Sequence, residues 1–411
     1  MNFDSFSFHP QINAGIRSAG YSTPTPIQSR TIPSIIEGLD VLGLAQTGTG
    51  KTAAFVLPIL QRLMEGKRGR LRALIISPTR ELAEQTNAAI KALGHKTGLR
   101  SVTVYGGVST ALQVRGLRSG AEIAVACPGR LLDLMGQKLV SLNDIEVLVL
   151  DEADRMFDMG FLPDIRRIIG SLPTKRQTLL FSATMPHEVR RLTDSILRDP
   201  VTVEIDITRP LESISHVVYG IDQAHKIDLL LEILYSAGTG QILVFTKTKY
   251  RAKKLADQLL KAGFAATCLQ GNLSQSRRQQ AMDGFRSGRV QVMVATDIAA
   301  RGIDVSEITH VINYDMPDTG DAYTHRIGRT GRMAQRGIAL SLATPSDLPM
   351  IHIIEGVLGG ALERKKANGF DGGAFLSEKP STRPGPSKPF SPRRGLSSHR
   401  RRSFPAAYSK R

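Results

Sequence analysis

The chain has 411 residues, is 41% hydrophobic and carries a net charge of +17, so we expect two globular domains with an extension and a polyanionic partner. Its apolar runs fall short of the roughly 18 residues of a membrane span, and its amino terminus lacks the basic and apolar regions of a signal peptide. Cys127 and Cys268 form no CxxC pair, which excludes a zinc site of that spacing and a disulfide framework, and favours a reduced, cytoplasmic location.

Short apolar runs rich in Val, Ile and Leu alternate with longer amphipathic stretches, a pattern typical of buried parallel strands and helices. The pattern weakens near Thr208-Arg209-Pro210 and then restarts. We predict two α/β domains with mostly parallel sheets, residues 1–207 and 216–360, joined by a linker at 208–215. The predicted strands are Asp40–Leu44, Ala73–Ile76, Glu122–Ala126, Val147–Leu150, Thr178–Phe181, Ile242–Phe245, Val290–Ala295 and Val311–Asn313.

A glycine-rich segment follows the first predicted strand and precedes a helical pattern. Phosphate binding needs inward-pointing amides at a helix start, a lysine for the β- and γ-phosphates and a hydroxyl for magnesium. Lys51 and Thr52 meet the last two needs, although Ala45 stands where the strict pattern has glycine. The segment predicts a nucleoside triphosphate site with Mg²⁺. Its predicted nucleotide-binding residues are Thr47, Gly48, Thr49, Gly50, Lys51 and Thr52.

The strand at Val147–Leu150 leads directly into Asp151-Glu152-Ala153-Asp154. An acid at the carboxyl end of a strand, after a phosphate loop, is where nucleoside triphosphatases hold magnesium. We assign Asp151 to Mg²⁺, together with Thr52, and Glu152 to the attacking water.

The second half of the chain contains a basic motif, His325-Arg326-Ile327-Gly328-Arg329-Thr330-Gly331-Arg332. Phosphoryl transfer spreads negative charge over the γ-oxygens, which an inserted guanidinium neutralises. Arg329 and Arg332 are therefore candidate catalytic residues. Because they and the phosphate loop lie on different predicted domains, the site is complete only when the domains close.

From Ala361 onward, thirteen Lys and Arg residues face three acids, so this tail carries 13 − 3 = +10 and the first 360 residues carry 17 − 10 = +7. The tail is rich in Gly, Ser and Pro and has no apolar periodicity. We predict that residues 361–411 are disordered and form an additional segment that binds a polyanion.

These motifs resemble those of DEAD-box RNA helicases, from near Phe3 to about Leu358, and are most similar to the bacterial RhlE-type subgroup. The resemblance implies two tandem RecA-like domains that hydrolyse ATP with Mg²⁺ and bind RNA. With RNA as the implied polyanion, the basic tail at 361–411 is predicted to be an additional RNA-binding segment. Gly20–Gln28 resembles the family's Q motif. By that resemblance Gln28 reads the adenine edge and Tyr21 stacks on the ring, which implies a preference for ATP over GTP.

The resemblance also implies residues that couple hydrolysis to RNA handling. Ser182 and Thr184 would bond to Asp154, and His325 would contact the first domain. In the segment Asp297–Asp304, Asp304 would meet the ATP ribose. Thr296, just before it, would meet an RNA phosphate.

The predicted RNA face rests on the same resemblance. Exposed amides, hydroxyls and Arg groups grip phosphates without reading sequence. Cys127 replaces the usual Thr before Pro128, and Gln270 replaces the common His before Gly271. The predicted RNA-binding residues are Pro78, Thr79, Arg80, Gly106, Gly107, Gly129, Arg130, Thr246, Gly271, Arg278 and Thr296.

The implied activity is local unwinding of short RNA duplexes without sequence specificity, driven by domain closure around ATP, in ribosome assembly or RNA decay. A DNA translocase of the same helicase superfamily is the nearest enzymatic alternative, disfavoured by the Q motif and the Asp-Glu-Ala-Asp spelling. The alternative from another class is an RNA chaperone or scaffold that acts mainly through the basic tail.

Overall fold

The computed structural model of the chain describes residues 2–46, 48–205, 214–300, 307–331 and 337–366. Its first sheet is formed by β1 (Val41–Leu44), β2 (Ala73–Ile76), β3 (Ser101–Val104), β4 (Ile123–Ala126), β5 (Val147–Asp151), β6 (Gln177–Ser182) and β7 (Val201–Glu204). The second sheet is formed by β8 (Ile214–Gly220), β9 (Gln241–Phe245), β10 (Ala266–Leu269), β11 (Val292–Ala295), β12 (Ile308–Asn313), β13 (Gly337–Ala343) and β14 (Glu363–Lys366).

Helices connect the strands and cover both sheets. Those of the first domain are α1 (Pro10–Ser18), α2 (Pro26–Ile36), α3 (Lys51–Met64), α4 (Arg80–Leu93), α5 (Thr110–Arg118), α6 (Pro128–Gly136), α7 (Ala153–Asp158), α8 (Leu162–Ile169) and α9 (His187–Ile196). Those of the second are α10 (Lys226–Ser236), α11 (Lys249–Lys261), α12 (Gln275–Arg286), α13 (Asp297–Ala300), α14 (Gly320–Ile327) and α15 (Leu348–Leu358). Short 3₁₀ helices span Phe3–Phe6 and Pro345–Asp347.

The two sheets have the same strand order. The first runs β3-β4-β2-β5-β6-β1-β7 and the second β10-β11-β9-β12-β13-β8-β14, with parallel pairing at each described ladder. The domains are therefore two copies of one architecture. The predicted fold class, two tandem RecA-like α/β domains, is confirmed.

Both faces of each sheet are buried, which explains the continuous apolar runs. In β5, Val147 and Val149 pack on one side of the sheet while Leu148 and Leu150 pack on the other, and all four are fully buried. A strand covered by helices on both faces has no solvent side and needs no polar alternation.

The start of the tail differs from the prediction. Residues 363–366 form β14, an edge strand parallel to β8, and the side chain of Arg364 donates to Glu355 at 3.2 Å. β14 takes the place in the second sheet that β7 takes in the first. The predicted boundary at residue 361 is therefore wrong, because pairing with β8 orders a segment whose composition is polar and basic. The rest of the predicted tail lies outside the described residues.

The predicted linker at 208–215 overlaps β8, which begins at Ile214; its first six residues lie outside the described part of the chain. Within that part, no helix combines the length and the apolar character needed to cross a membrane.

The fold brings the predicted motifs to one edge of the first sheet. The phosphate loop follows β1, the acids follow β5, and Ser182 ends β6. Carboxyl ends of parallel strands meet at the same edge, which is where open α/β sheets bind ligands. The second domain faces this edge.

Candidate active site between the two domains

The phosphate loop turns into α3 at Lys51. Gly48 and Gly50 have φ angles of 87° and 94°, in the left-handed region that glycine adopts without strain. The ammonium of Lys51 is buried and donates to the carbonyl oxygen of Ala45 at 2.8 Å, across the loop. Thr52 is half-buried in the first turn of α3, where free amides favour phosphate. Thr47 lies outside the described residues.

Gln28 ties the Q-motif segment to the phosphate loop. Its Oε1 accepts from the backbone N–H of Thr25 at 2.9 Å, and its Nε2 donates to the carbonyl oxygen of Gly50 at 3.0 Å. The side chain is 1% exposed, whereas the ring of Tyr21 is more open. An amide offers two donor hydrogens and two acceptor lone pairs, so one of each remains for an adenine edge. The paired reading of adenine stays a prediction.

Asp151 ends β5 with an unsatisfied oxygen. Its Oδ1 is buried and has no hydrogen-bond partner among the described residues. Burial raises the pKa of Asp151 to about 7, opposed in part by the charge of Lys51. A buried oxygen without a partner is costly, and a divalent cation satisfies it while favouring the charged form. The residues present at this site thus fit Mg²⁺.

Glu152 is held by a residue that the sequence reasoning missed. Its backbone is left-handed, with φ 55°, a conformation that is uncommon outside glycine. Its Oε2 accepts from the guanidinium of Arg155 at 2.6 Å, and both side chains are almost fully buried. Arg155 lies three positions after Glu152, at the start of α7. Side chains three positions apart on a helix are neighbours, so this spacing could have identified the pair.

Asp154 connects the first domain's loops to the second domain. Its Oδ2 accepts from the hydroxyl of Thr184 at 3.1 Å and from the backbone N–H of Thr184 at 2.9 Å. Ser182 accepts from the backbone N–H of Asp154 at 3.1 Å. His325 of the second domain brings its Nε2 to 4.0 Å from the same Oδ2. The structure therefore brings all four predicted coupling residues together.

The imidazole of His325 is neutral near pH 7. Burial, together with repulsion from Arg155, lowers its pKa to about 4, and attraction to Asp154 only partly opposes this. Its approach to Asp154 is therefore a polar contact rather than an ion pair at that pH.

Arg329 lines the cavity between the domains, and its side chain is 3% exposed. The cavity also contacts Gln46, Arg155 and Thr184 of the first domain. Arg326 points elsewhere and forms a bidentate ion pair with Asp297, at 2.6 and 2.7 Å. Arg332 and Asp304 lie outside the described residues.

On the predicted RNA face of the first domain, Thr79 caps α4 by accepting from the N–H of Leu82 at 3.3 Å. Arg80 lies against Gly107, where an added Cβ would clash with the guanidinium, so a side chain at that glycine would displace the arginine. Gly106 lies nearby, Pro78 lies in the loop between β2 and α4, and Gly129 lies in the first turn of α6. Arg130 donates to the carbonyl oxygen of Val108 at 3.3 Å.

In the second domain, Gly271 is exposed and Thr296 is half-buried at the end of β11. Gln270 orders the loop that contains Gly271, because its side chain accepts from the backbone N–H of Asn272 at 2.6 Å. Thr246 is fully buried, and its hydroxyl lies 3.5 Å from the carbonyl oxygen of Thr248. The contact of Thr246 with RNA stays a prediction.

Arg278 is also buried, and it bonds across the cleft to Glu81 at 2.7 Å. Next to it, Arg80 donates to Gln275 at 3.1 Å. These contacts between α4 and α12 join the domains on the RNA side, as His325 and Asp154 join them on the nucleotide side. The pairing with Glu81 was missed, since 197 positions separate the two residues.

The DEAD/DEAH box helicase family matches residues 25–192, and the helicase conserved C-terminal domain matches residues 225–334. The chain is 42% identical to the ATP-dependent RNA helicase CshA of Limosilactobacillus reuteri over 358 residues, which are 86% of this chain and 71% of that protein.

Two solved structures share both domains in a similar arrangement. Dbp5 of S. cerevisiae bound to RNA and ADP BeF3 has a TM-score of 0.81 at 31% identity, covering 89% of this chain and 95% of that one. Mss116p, with its NTE and C-tail deleted and bound to ssRNA and AMP-PNP, has a TM-score of 0.80 at 26% identity, covering 89% and 78%.

These similarities do not separate bacterial subgroups, so the RhlE-type subgroup stays a prediction. They favour an RNA helicase over the DNA translocase alternative, because the relative described above is an RNA helicase and both solved structures contain RNA. The phosphate loop, the acids after β5 and the arginine-lined cavity between two RecA-like domains agree with the same family. The chain belongs to the DEAD-box ATP-dependent RNA helicases.

Proposed function

We propose that ATP-driven closure of the two domains grips RNA by its backbone and locally unwinds short duplexes. The observation that carries this proposal is the cavity that Arg155 and Thr184 of the first domain share with His325 and Arg329 of the second. Groups needed at the γ-phosphate thus come from both sides of a cleft, so hydrolysis depends on closure.

In the proposed hydrolysis step, the backbone amides after Gly48 and the ammonium of Lys51 hold the β- and γ-phosphates. Glu152 orients a water for in-line attack on the γ-phosphorus and accepts its proton, while Arg155 fixes the carboxylate in place. Arg329, with Arg332, neutralises charge on the γ-oxygens as the bond to the leaving oxygen breaks. Asp151 and Thr52 would hold Mg²⁺, which would supply positive charge that stabilises the transition state.

Coupling would run through Asp154, which bonds to Thr184 and approaches His325. A change at the γ-phosphate that moves the loop after β6 would alter this contact and bias the domains toward opening. RNA would lie across the carboxyl edges of both sheets, where loops offer amides and Arg groups to phosphates.

The location and biological role are also part of the proposal. We place the enzyme in the cytoplasm, in ribosome assembly or RNA decay. Cross-linking to RNA followed by sequencing would identify the targets; recovery of neither ribosomal nor messenger RNA would contradict this role.

The test compares the parent enzyme with Glu152→Gln and Arg329→Ala, and with Asp194→Asn as a control at an exposed residue. Loss of the arginine should lower RNA-stimulated turnover roughly 10³-fold or more. Glu152→Gln should stop turnover and retain ATP binding, because the phosphate loop is unchanged. Turnover by Glu152→Gln at the parent's rate, with RNA present, contradicts the mechanism.

A further inference from the structure

The first domain has a strongly basic surface that lies away from the cleft and is separate from the predicted RNA face. Residues 66–80 and 85–121 contain ten Lys and Arg residues and no Asp or Glu, although the whole chain has 54 cations to 37 acids. Three of the ten are engaged by other side chains: Arg70 by Asp144, Arg72 by Glu146, and Arg80 by Gln275. Six of the others form what we call the basic edge: Lys67, Arg68, Lys96, Arg100, Arg115 and Arg118.

Packing brings the basic edge together. Arg68 donates to the carbonyl oxygen of Thr97 at 3.0 Å, next to Lys96. A Cβ placed on Gly120 would lie 2.8 Å from the Cα of Gly69 and 2.9 Å from the guanidinium of Arg100. Arg118 lies two residues before Gly120, at the end of α5. All six side chains belong to exposed residues, and none forms an ion pair with a described residue.

A buried carboxylate fixes the backbone beneath these cations. Glu122 is 1% exposed, its Oε1 accepts from the N–H of Gly69 at 3.0 Å, and its Oε2 accepts from the N–H of Arg100 at 2.9 Å. Both oxygens accept from backbone amides, and Glu122 forms no ion pair with an arginine of the described residues. The two loops are held in register, which reduces the entropy lost when a ligand binds.

The basic edge lies at the amino ends of β2, β3 and β4, whereas the predicted RNA residues of this domain lie at their carboxyl ends. A four-residue strand spans about 13 Å, so the two surfaces are separated by at least that distance. The basic edge is therefore not part of the site already described.

The chemistry of the edge favours a regular phosphate backbone. Four of its six residues are arginine, which binds phosphate oxygens in a fixed fork geometry. In the two acid-free segments, the aromatic rings are those of His95 and of Tyr105, and Tyr105 is buried at the opposite end of β3. Single-strand binding through stacked bases uses a series of rings, and protein interfaces use large aromatic anchors at their cores. Double-stranded RNA is bound mainly by shape and phosphate contacts and needs neither.

We propose that the basic edge is a second RNA-binding surface, which holds a double-stranded segment of the substrate by its phosphates while the cleft acts on a strand. Binding there is independent of sequence and of bound nucleotide, because the residues of the edge lie outside the cleft and belong to one domain. It adds affinity for RNAs in which structured helix adjoins the strand to be opened.

The test uses the full-length protein and two RNAs: a single-stranded decamer, and the same decamer extended by a hairpin of about 16 base pairs, a length that double-stranded RNA-binding domains span. The test variant, called the Arg100 variant, combines Arg100→Gln, Arg115→Gln and Arg118→Gln. The control combines Arg166→Gln, Arg190→Gln and Arg191→Gln, which are also exposed arginines of the first domain. Thermal melts establish that both variants are folded.

The parent and the control should bind the extended RNA about tenfold more tightly than the decamer, and the Arg100 variant should lose most of that gain. Its slope of log affinity against log salt should fall by about 2 to 3 for the extended RNA, since each lost phosphate contact accounts for about 0.9. Affinity for the decamer, and the ATPase rate that it stimulates, should be unchanged.

Equal affinities and slopes of parent and variant for the extended RNA would overturn the proposal. An equal loss in the control variant would also overturn it, because the effect would then reflect net charge. Binding of poly-glutamate that is lost in the Arg100 variant, with unchanged RNA affinity, would instead indicate an acidic protein partner.

Discussion

Arg278 of the second domain and Glu81 of the first form a buried ion pair across the cleft, with Nε and NH2 of the arginine 2.7 and 2.5 Å from one carboxylate oxygen. Their side chains are 11% and 10% exposed. Separation of the domains would return both charges to water, so the pair contributes only to the closed arrangement. On the RNA side, closure of the domains is thus stabilised by an ion pair that is separate from the contacts at the nucleotide site.

Glu81→Gln and Arg278→Gln should each disfavour closure, because one charge remains buried without its partner. We expect the RNA concentration for half-maximal ATPase stimulation to rise at least about tenfold, which is about 1.4 kcal/mol. ATP binding without RNA should be unchanged. The exchanged pair, Glu81→Arg with Arg278→Glu, should lose less than the sum of the losses of Glu81→Arg and Arg278→Glu alone; strictly additive losses would show that the pair does not link the domains.

Cys127→Thr should stabilise the first domain. The hydroxyls of Thr79, Thr248 and Thr319 cap their helices by accepting a backbone N–H, whereas Cys127 begins α6 without a side-chain cap. Restoring a hydroxyl should add about 0.5–1 kcal/mol to the free energy of unfolding, measured by denaturant titration. Cys127→Ala is the matched control and should give no gain. A destabilised threonine variant would mean that the site cannot accept the hydroxyl.

Gln28→Ala should reduce discrimination between ATP and GTP. The side-chain amide of Gln28 holds Gly50 of the phosphate loop, so the affinities for both nucleotides should fall in Gln28→Ala. The affinity for ATP should fall by about a further tenfold or more if the remaining donor and acceptor of the amide pair with adenine. Competition binding to the parent, the variant and Thr25→Val, which removes a neighbouring hydroxyl but keeps the amide, measures the ratio. An unchanged ratio in Gln28→Ala would remove the adenine-reading role.

Truncation after Lys366 should separate the tail from the fold. Residues 367–411 carry ten cations and two acids, 10 − 2 = +8, so their loss should weaken RNA binding and flatten its salt dependence. Intrinsic ATPase activity and the melting temperature should be retained. Truncation after Gly360 also removes β14 and should lower the melting temperature, because the edge of β8 loses its partner. Identical RNA affinities and salt slopes with and without residues 367–411 would show that the tail does not bind RNA.

The same truncation after Lys366 distinguishes a helicase from an RNA chaperone that acts mainly through its tail. An activity based in the tail predicts that annealing of complementary strands without ATP is lost with residues 367–411. Annealing at the full-length rate by the shortened protein would exclude that role, since the described domains would then suffice.

Strand prediction succeeded where a strand is a continuous apolar run, and it missed edge strands as well as the interior strands β8 and β13. β2, β5 and β9 are buried on both faces, so their apolar runs stand out in the sequence. β3, with Ser101-Val102-Thr103-Val104, and β14, with Glu363-Arg364-Lys365-Lys366, are edge strands with polar residues. Their place in a sheet depends on a neighbouring strand rather than on their own composition.

The sequence by itself determined the chemistry that is local in the chain. A glycine-rich turn followed by Lys51, and a buried strand ending in Asp151, carry their function within a few residues because the backbone geometry of one turn positions the reacting groups. The tertiary structure decided which distant side chains meet. The ion pair of Glu81 with Arg278, the burial of Thr246 and the pairing of β14 arise from packing between elements, and packing depends on the whole fold.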